Sequence, residues 1–330
     1  MINVTVYYTE GDAACEEVIA YLEEINQEKP IQLTRIDITS DFSMMEKYKG
    51  RVPLVLIGPY QLKYPLTKTD LLVSINASED RHQKLNEVDE RYRERVKRGT
   101  EISKTDRFTL WLSRYYMVLL NLVLFIYIGL PFLAPVLMER KLDLPARVIY
   151  AVYNPVCHQL AFRSWFLFGE QPYYPRALAE IPGVKTYEEV TGLNSGDITA
   201  GKEFVGNPQV GFKVALCERD VAIYGAMLLF GLLFMFTGRK IKGIPWYIWV
   251  IVGMLPMGLD GGSQLFSFFQ GIIPFWVPLR ESTPLLRTIT GALFGITTVW
   301  YVLPIIEESM IEGRSFILRK VAIINHQDRK

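Results

Sequence analysis

Residues 115–137 read YYMVLLNLVLFIYIGLPFLAPVL, an apolar run in which Asn121 is the one amide and no side chain is charged. At a helical rise of about 1.5 Å per residue, the run is long enough to cross a hydrocarbon core of about 30 Å. Three further segments are predominantly apolar, the last with the single charged residue Arg287: Val221–Phe236, Trp246–Leu259 and Leu286–Ile306. The sequence therefore predicts an α-helical membrane domain over residues 115–310, with about four transmembrane helices.

The composition of the 330-residue chain excludes several other classes of protein. Hydrophobic residues make up 50% of it, which is too much for a disordered chain. The formal net charge of +1 gives no field that would attract nucleic acid, and the chain carries no nucleic-acid-binding motif, so we expect no nucleic-acid partner. Three cysteines are too few for a disulfide-rich secreted scaffold.

Positive charge predicts how the chain is oriented in the membrane. The N-terminal segment lacks the pattern of a signal peptide, and a basic stretch precedes residue 115, so we place the N-terminus in the cytoplasm. Ala146–Phe168 is apolar but is interrupted by Asn154-Pro155, and we interpret it as a re-entrant or interfacial helix. The basic residues 239–242 and the basic tail 311–330 then also lie in the cytoplasm. We predict a multi-pass plasma-membrane protein with both termini cytoplasmic.

The first 77 residues have the pattern of a small soluble domain. Strand-like and helix-like segments alternate, with Asp12 as the predicted N-cap of the first helix. This order predicts an α/β domain over residues 1–77, followed by a charged linker helix over residues 78–114. The predicted segments are the strands Val4–Tyr8, Ile31–Ile38 and Val52–Ile57 and the helices Cys15–Leu22 and Phe42–Tyr48.

This domain resembles the thioredoxin/glutaredoxin-like fold, through the strand Val4–Tyr8, the cysteine Cys15 at the start of the next helix, and Arg51-Val52-Pro53 before a strand. The resemblance implies that Pro53 is cis and faces the redox cysteine. The family dithiol, however, is Cys-x-x-Cys, and here Asp12 stands in the first position, so the motif is degenerate. Two hypotheses remain: a monothiol redox domain, or a redox-inactive domain that docks a cytoplasmic protein. We favour the second.

Under the predicted topology, polar residues from four segments gather at the outer face of the membrane. Ionisable side chains in membranes are costly and usually face the interior of a helix bundle with a partner. Their convergence at one depth therefore predicts a site. The residues are Cys157, His158 and Gln159; Cys217, Arg219 and Asp220; Asp260 and Gln264; and Arg280, Arg287 and Thr290.

The same motifs resemble an integral-membrane family known as domain of unknown function 2085, over roughly residues 154–295. The resemblance rests on Cys157-His158-Gln159, on Cys217-Glu218-Arg219-Asp220, on Asp260-Gly261 with Gln264, and on Arg280-Glu281-Ser282. Members of that family often carry a second cysteine where this chain has Asp220. Because the family has no settled activity, the resemblance implies a fold and a set of site residues but no reaction.

The residue types Cys157, His158, Cys217 and Asp220 are those of a tetrahedral zinc site, so we predict zinc as the cofactor. Cys217 and Asp220 are three residues apart on one helix and can face the same cavity. Two alternatives stay open. One is a structural Cys157–Cys217 disulfide on the oxidising outer side, and the other is a hydrogen-bonded polar core.

Asp260, Gln264 and Arg287 are the predicted catalytic residues, with Asp260 as a general base or a further metal ligand. Arg219 and Arg280 are predicted to bind an anionic headgroup. The alternative interpretation is an interhelical ion pair between Asp260 and Arg287 that holds the helices together.

Three functions fit these predictions. The first is a metal-dependent membrane enzyme that acts on an anionic lipid or isoprenoid headgroup in the lipid bilayer. The second is a carrier or channel for a small solute. The third is a structural or signalling protein that docks a cytoplasmic partner. The segment Gly169–Leu216 is predicted to be a long outer loop that caps the site.

Overall fold

A computed structural model describes residues 2–40, 42–92, 101–268 and 280–327. Residues 93–100 of the predicted linker, and Arg329 and Lys330 of the predicted tail, lie outside the described residues. The chain divides into two compact units, one formed by Met1–Tyr115 with Glu308–Lys330 and the other by Tyr116–Glu307.

The first unit contains a four-stranded sheet in the order β2-β1-β3-β4. β1 pairs in parallel with β2, and β3 is antiparallel to both β1 and β4. This confirms the predicted α/β domain. Its elements are β1 Asn3–Tyr8, α1 Ala13–Glu28, β2 Gln32–Asp37, α2 Phe42–Tyr48, β3 Leu54–Ile57, β4 Tyr60–Lys63 and α3 Lys68–Val88.

The two faces of this sheet are covered differently. One face carries an apolar core that includes Val6, Val18 and Ile75. On the other face, Leu318 packs against a cluster that contains Tyr7. The carbonyl of Ile323 accepts a hydrogen bond from the Gln32 side chain at 3.3 Å. Residues predicted as a basic tail are therefore helical and form part of the core of this unit.

Among the residues that the structure describes, three helices are long and apolar enough to cross a membrane. They are α4 Lys104–Glu139, α8 Glu218–Phe236 and α11 Pro284–Gln327. A fourth predicted span falls on α9 Trp246–Ile248, a π-helical turn Trp249–Met254 and α10 Leu255–Phe268, which follow one another directly. Close backbone approach joins α8 to α11, since a Cβ on Gly291 would lie 2.8 Å from the carbonyl oxygen of Arg219.

The segment Ala146–Phe168 contains a short helix and then a strand. The helix α5, Asp143–Tyr153, has 11 residues and rises only about 16 Å, which is too short to cross a membrane. A 3-10 helix, Ala161–Arg163, leads into strand β5, Ser164–Leu167. The structure therefore agrees with a segment that does not cross fully.

Residues 169–216, predicted as a long loop, have secondary structure and a core of their own. A three-stranded antiparallel sheet in the order β5-β7-β6 is packed around Phe162, Phe166, Tyr174 and Tyr187. We call residues 160–217 the cap. Its other elements are α6 Tyr187–Thr191, α7 Ile198–Glu203, β6 Gly206–Asn207 and β7 Gly211–Cys217.

Candidate metal and anion site

The two cysteines of the membrane domain meet where the cap joins α8. Cys157 follows α5, and its N–H donates to the carbonyl of Tyr153 at 3.0 Å. Cys217 ends β7 and is the N-cap of α8, with its Sγ accepting from the N–H of Asp220 at 3.5 Å. The N–H of Cys217 donates to the Sγ of Cys157 at 3.2 Å. As a result, the two Sγ atoms and a carboxylate oxygen of Asp220 lie within 4.8 Å of one another.

These residues line a cavity of about 400 Å³. His158 also lines this cavity with an exposed side chain, but its ring nitrogens are not part of the three-atom group, so its role as a ligand stays a prediction. All three cysteines are free thiols. The cavity is lined by Val156, Cys157, His158, Gln159, Leu160, Arg163, Ile198, Cys217, Arg219, Asp220, Gln264 and Arg287.

A ring of hydrogen bonds holds the loop that carries Cys157 and His158. The buried ammonium group of Lys213 donates to the carbonyl of Gln159 at 2.8 Å. The side chain of Gln159 donates to the carbonyl of Tyr150 at 2.9 Å, and the Tyr150 hydroxyl donates to the carbonyl of Lys213 at 2.5 Å. Gln159 has a left-handed backbone, with φ of 52°, and the ring fixes this unusual turn. Burial lowers the pKa of Lys213 to about 7.

Sequence reasoning missed Lys213. Its one signal is a lysine within the otherwise apolar strand Gly211–Cys217.

Asp260 is the centre of a second polar cluster. Its carboxylate pairs with Arg219 and, at 3.2 Å, with Arg280. The hydroxyl of Ser282 donates to the same carboxylate at 2.9 Å, and the amide of Gln264 donates to the backbone carbonyl of Asp260 at 3.1 Å. These partners hold the buried carboxylate of Asp260 in one orientation. The contacts therefore favour a positioning role, in which Asp260 directs Arg219 towards the cavity.

Glu281 is the centre of a third cluster, which sequence reasoning did not single out. Its carboxylate accepts from Arg163 at 2.9 Å, from Arg176 at 3.3 Å and from Arg287. Arg287 also donates to Glu218 at 3.2 Å. Arg163 and Arg176 belong to the cap, whereas Glu218 and Arg287 lie on α8 and α11, so Glu281 joins the cap to two helices.

The sequence suggested an ion pair between Asp260 and Arg287, but in the structure each of these residues has other partners. Asp260 pairs with Arg219 and Arg280, whereas Arg287 pairs with two glutamates. Sequence alone cannot choose among several arginines, because the packing of the helices determines which residues from different helices meet. Whether Asp260, Gln264 and Arg287 are catalytic stays a prediction.

Five arginines and, with Asp220 of the cavity wall included, four carboxylates surround the cavity. The ion-pair clusters contain more arginines than carboxylates, and the Nε atom of Arg219 has no hydrogen-bond partner among the residues that the structure describes. Arg163 and Arg219 line the cavity with side chains that are 29% and 23% exposed, so their guanidinium groups are accessible to a bound anion. The arginines are Arg163, Arg176, Arg219, Arg280 and Arg287, and the carboxylates are Glu218, Asp260 and Glu281.

The degenerate redox motif lies in the first unit. Asp12 caps α1, and its carboxylate accepts from the N–H groups of Ala14 and Cys15 at 2.9 and 3.1 Å, which confirms the predicted N-cap. Cys15 is fully buried, and burial raises the pKa of its thiol. The Val52–Pro53 peptide bond is cis, as the resemblance implied. Cys15 therefore has the properties of a core residue rather than of a reactive thiol.

Comparisons with known proteins agree with this two-part architecture. Residues 3–97 match the model of a glutaredoxin-like domain (DUF836). Residues 209–301 match the model of the family described as predicted membrane protein (DUF2085). The chain therefore joins a glutaredoxin-like domain to a domain of a membrane-protein family. The second match includes Cys217 and Asp220 but begins after Cys157.

One relative of this chain is the uncharacterized protein MJ1492 of Methanocaldococcus jannaschii. It is 28% identical over 206 residues, which cover 60% of this chain and 96% of that protein. No solved structure matches the chain.

Proposed function

We propose that this membrane protein binds a zinc ion through Cys157, Cys217 and Asp220. With this ion it acts as a metal-dependent enzyme on an anionic lipid or isoprenoid headgroup. The observation that carries the proposal is the cavity in which the three ligand atoms, within 4.8 Å of one another, share a wall with Arg163, Arg219 and Arg287. A metal ion beside arginines is an arrangement suited to phosphate chemistry.

The donor set fits zinc. Two thiolates and a carboxylate are common zinc ligands, and bond lengths of about 2.3 Å to sulfur and about 2.0 Å to oxygen separate tetrahedral ligand atoms by roughly 3.5 to 3.8 Å. The spacing within 4.8 Å needs only small side-chain movements to reach this geometry. Three protein ligands leave a fourth position for water or for His158. An open position of this kind is typical of catalytic rather than structural zinc sites.

The arginines would hold the anionic group while the metal ion polarises it. Arg219 is directed by Asp260, and Arg163 and Arg287 are directed by Glu281. When bound, the zinc ion would supply Lewis acidity and lower the pKa of a bound water. The residues of the chain would bind the headgroup, orient it and neutralise its charge.

In the membrane we propose four spans, with both termini in the cytoplasm and the cap outside the plasma membrane. Residues Trp246–Phe268 contribute the fourth span, because about 23 helical residues rise about 34 Å. The basic residues 239–242 then lie in the cytoplasm, as the positive-inside rule requires.

For the first unit we propose a redox-inactive docking domain that binds a cytoplasmic protein. The burial of Cys15 and the absence of a first cysteine in the motif support this over a monothiol redox role.

Zinc analysis of four variants tests the proposed function. We expect about one zinc per chain in the purified protein, and a clear loss of zinc in Cys157→Ala, Cys217→Ala and Asp220→Asn. Asp220→Cys should keep the metal, because thiolate is at least as good a ligand for zinc. Cys15→Ala and Asp143→Asn are the matched thiol and carboxylate controls and should leave zinc unchanged.

A metal-free protein with an oxidised Cys157–Cys217 pair would contradict the proposal and favour the structural disulfide. Substitutions also distinguish a zinc site from a disulfide. A disulfide makes Cys157→Ser and Cys217→Ser equivalent to treatment with reductant and leaves Asp220→Asn without effect. If none of the substitutions changes metal content or Tm, the cluster is ordinary polar packing.

A further inference from the structure

The two cysteines of the candidate metal site lie at the two ends of the cap. Cys157 stands three residues before the first residue of the cap, and Cys217 is the last residue of the cap. They are 60 positions apart in the sequence, yet the N–H of Cys217 donates to the Sγ of Cys157 at 3.2 Å. A covalent bond or a metal ion that joins the two sulfur atoms therefore closes a loop that contains the whole cap.

The two sulfur atoms are also close enough to be joined without rebuilding the site. They lie within 4.8 Å of each other, and a disulfide needs a separation of about 2.05 Å. The Sγ of Cys217 is held by a 3.5 Å hydrogen bond from the N–H of Asp220, and sulfur is a weak acceptor. Rotation about the Cα–Cβ bond of Cys217 therefore brings its sulfur towards that of Cys157 at little cost.

An oxidant in water reaches the pair through the cavity. Both cysteines line the cavity, together with the exposed side chain of His158. Cys217 is half-buried, whereas Cys157 is 5% exposed, so Cys217 is the first of the two sulfurs to meet an oxidant. In the proposed topology this cavity opens outside the plasma membrane, where thiols are exposed to oxidants.

We propose that Cys157 and Cys217 form a redox switch at the base of the cap, in which the reduced pair holds zinc and a peroxide converts the pair to a disulfide that releases the ion. This inference rests on the proposed zinc site and goes beyond it, because it makes the occupancy of that site depend on an oxidant. Either form links the two ends of the cap. Oxidation therefore removes the metal ion and leaves the cap tied.

The switch is a two-electron oxidation of the pair. The thiolate of Cys217 attacks one oxygen of hydrogen peroxide, the O–O bond breaks, and a sulfenic acid forms as hydroxide leaves. The thiolate of Cys157 then attacks the sulfenic sulfur, so that the S–S bond forms and a second hydroxide leaves. Two protons from the medium convert the hydroxides to water. Two of the three proposed zinc ligands are then lost, and a dithiol or phosphine reductant restores them.

Peroxide treatment of the zinc-loaded full chain in detergent tests the switch. The protein is purified with a phosphine reductant, which is then removed. We expect one equivalent of hydrogen peroxide to release zinc in step with a Cys157–Cys217 disulfide, as measured by a zinc indicator and by mass spectrometry. The phosphine and added zinc should restore the metal-bound form. Cys15→Ala is the control, because its thiol is buried in the first unit, and it should behave like the unmodified protein. Zinc that stays bound, or zinc that leaves while the cysteines become sulfinic acids, would overturn the proposal.

Thermal stability tests whether both forms tie the cap. We expect a chelator to lower the Tm of the reduced chain, and peroxide to restore most of that loss without zinc, because a cross-link between residues 60 apart restricts the unfolded chain. Asp220→Asn lacks a zinc ligand but keeps both thiols, so its Tm should still rise on oxidation. Cys157→Ala should show no such rise. An unchanged Tm on oxidation of the metal-free chain would mean that the disulfide does not replace the metal as a link.

The zinc content of the reduced protein separates this proposal from the one on which it rests. Reduced protein without bound zinc would contradict the proposed function, and the switch with it. If the reduced protein holds zinc and peroxide does not release it, the proposed function stands and the switch is wrong.

Discussion

Lys213 is a lysine with no exposed surface, held by the carbonyl oxygens of Gln159 and Lys202. Burial lowers its pKa to about 7, against about 10.4 for lysine in an unfolded chain. Between these two values the unfolded chain binds more protons than the folded chain. Lys213 therefore makes the free energy of unfolding rise with pH between about 7 and about 10.4. Below about pH 7 this stabilising contribution is lost.

Replacing Lys213 with Met removes this titration. We expect the Tm of the unmodified protein to increase relative to that of Lys213→Met as the pH is raised from about 7 to about 10. The reason is that only the lysine loses an unfavourable buried charge in this range. Differential scanning fluorimetry in detergent at stepped pH measures the difference. Lys141→Met, which changes an exposed lysine in the turn between α4 and α5, is the control and should run parallel to the unmodified protein. Parallel curves for Lys213→Met would contradict the lowered pKa.

Cys15 permits a second prediction at the same scale. A buried thiol with a raised pKa carries little thiolate, and Asp12 stands where a dithiol enzyme needs its nucleophile. We expect the full-length protein to fail to reduce insulin disulfides, and Cys15 to be alkylated by iodoacetamide only on unfolding. Asp12→Cys creates the Cys-x-x-Cys spacing and tests whether the fold supports dithiol chemistry. Turnover of insulin by the unmodified protein would contradict the redox-inactive interpretation.

Among the elements, those with a strong local pattern were predictable from sequence. The apolar run 115–137 lies within α4, and Asp12 caps α1 as its residue type indicates. The cap was not predictable, because β5 and β7 pair across more than 40 residues and β6 has only two residues. Glu281 was missed for a related reason. In sequence it is one charge in Arg280-Glu281-Ser282, and only the fold brings arginines of the cap to it.

Glu281 joins the cap to α11 with a side chain that is 2% exposed. Glu281→Gln would leave the charges of Arg163, Arg176 and Arg287 without their shared carboxylate, and we expect a loss of about 3 to 5 kcal/mol in stability. Thermal unfolding and limited trypsin digestion check this, with cleavage expected first in the cap. Glu180→Gln, at an exposed position of the cap, is the control and should stay within about 0.5 kcal/mol. If the two variants are equally stable, the Glu281 cluster does not stabilise the contact between the cap and α11.

At the scale of the membrane domain, polar side chains gather at both ends of α8. Arg239, just beyond the C-terminal end, contacts Glu307 at 3.5 Å, and Tyr116 donates to the same carboxylate. Cys217 caps the N-terminal end. The 19 residues of α8 rise about 28 Å, close to the thickness of a hydrocarbon core. In the proposed topology, the polar groups at the two ends of α8 therefore lie at the two surfaces of the membrane.

From the positive-inside rule we expect the cluster around Arg239 to lie in the cytoplasm and the cavity to lie outside. Labelling with a membrane-impermeant maleimide in intact cells checks this. The labelling of the native cysteines in the unmodified protein is the baseline. We expect Glu180→Cys in the cap to be labelled from outside, and Lys240→Cys to be labelled only after permeabilisation. The reverse pattern would move the cavity to the cytoplasmic surface. The zinc proposal would survive that result, because it depends on local geometry, but the cap could no longer be placed outside the plasma membrane.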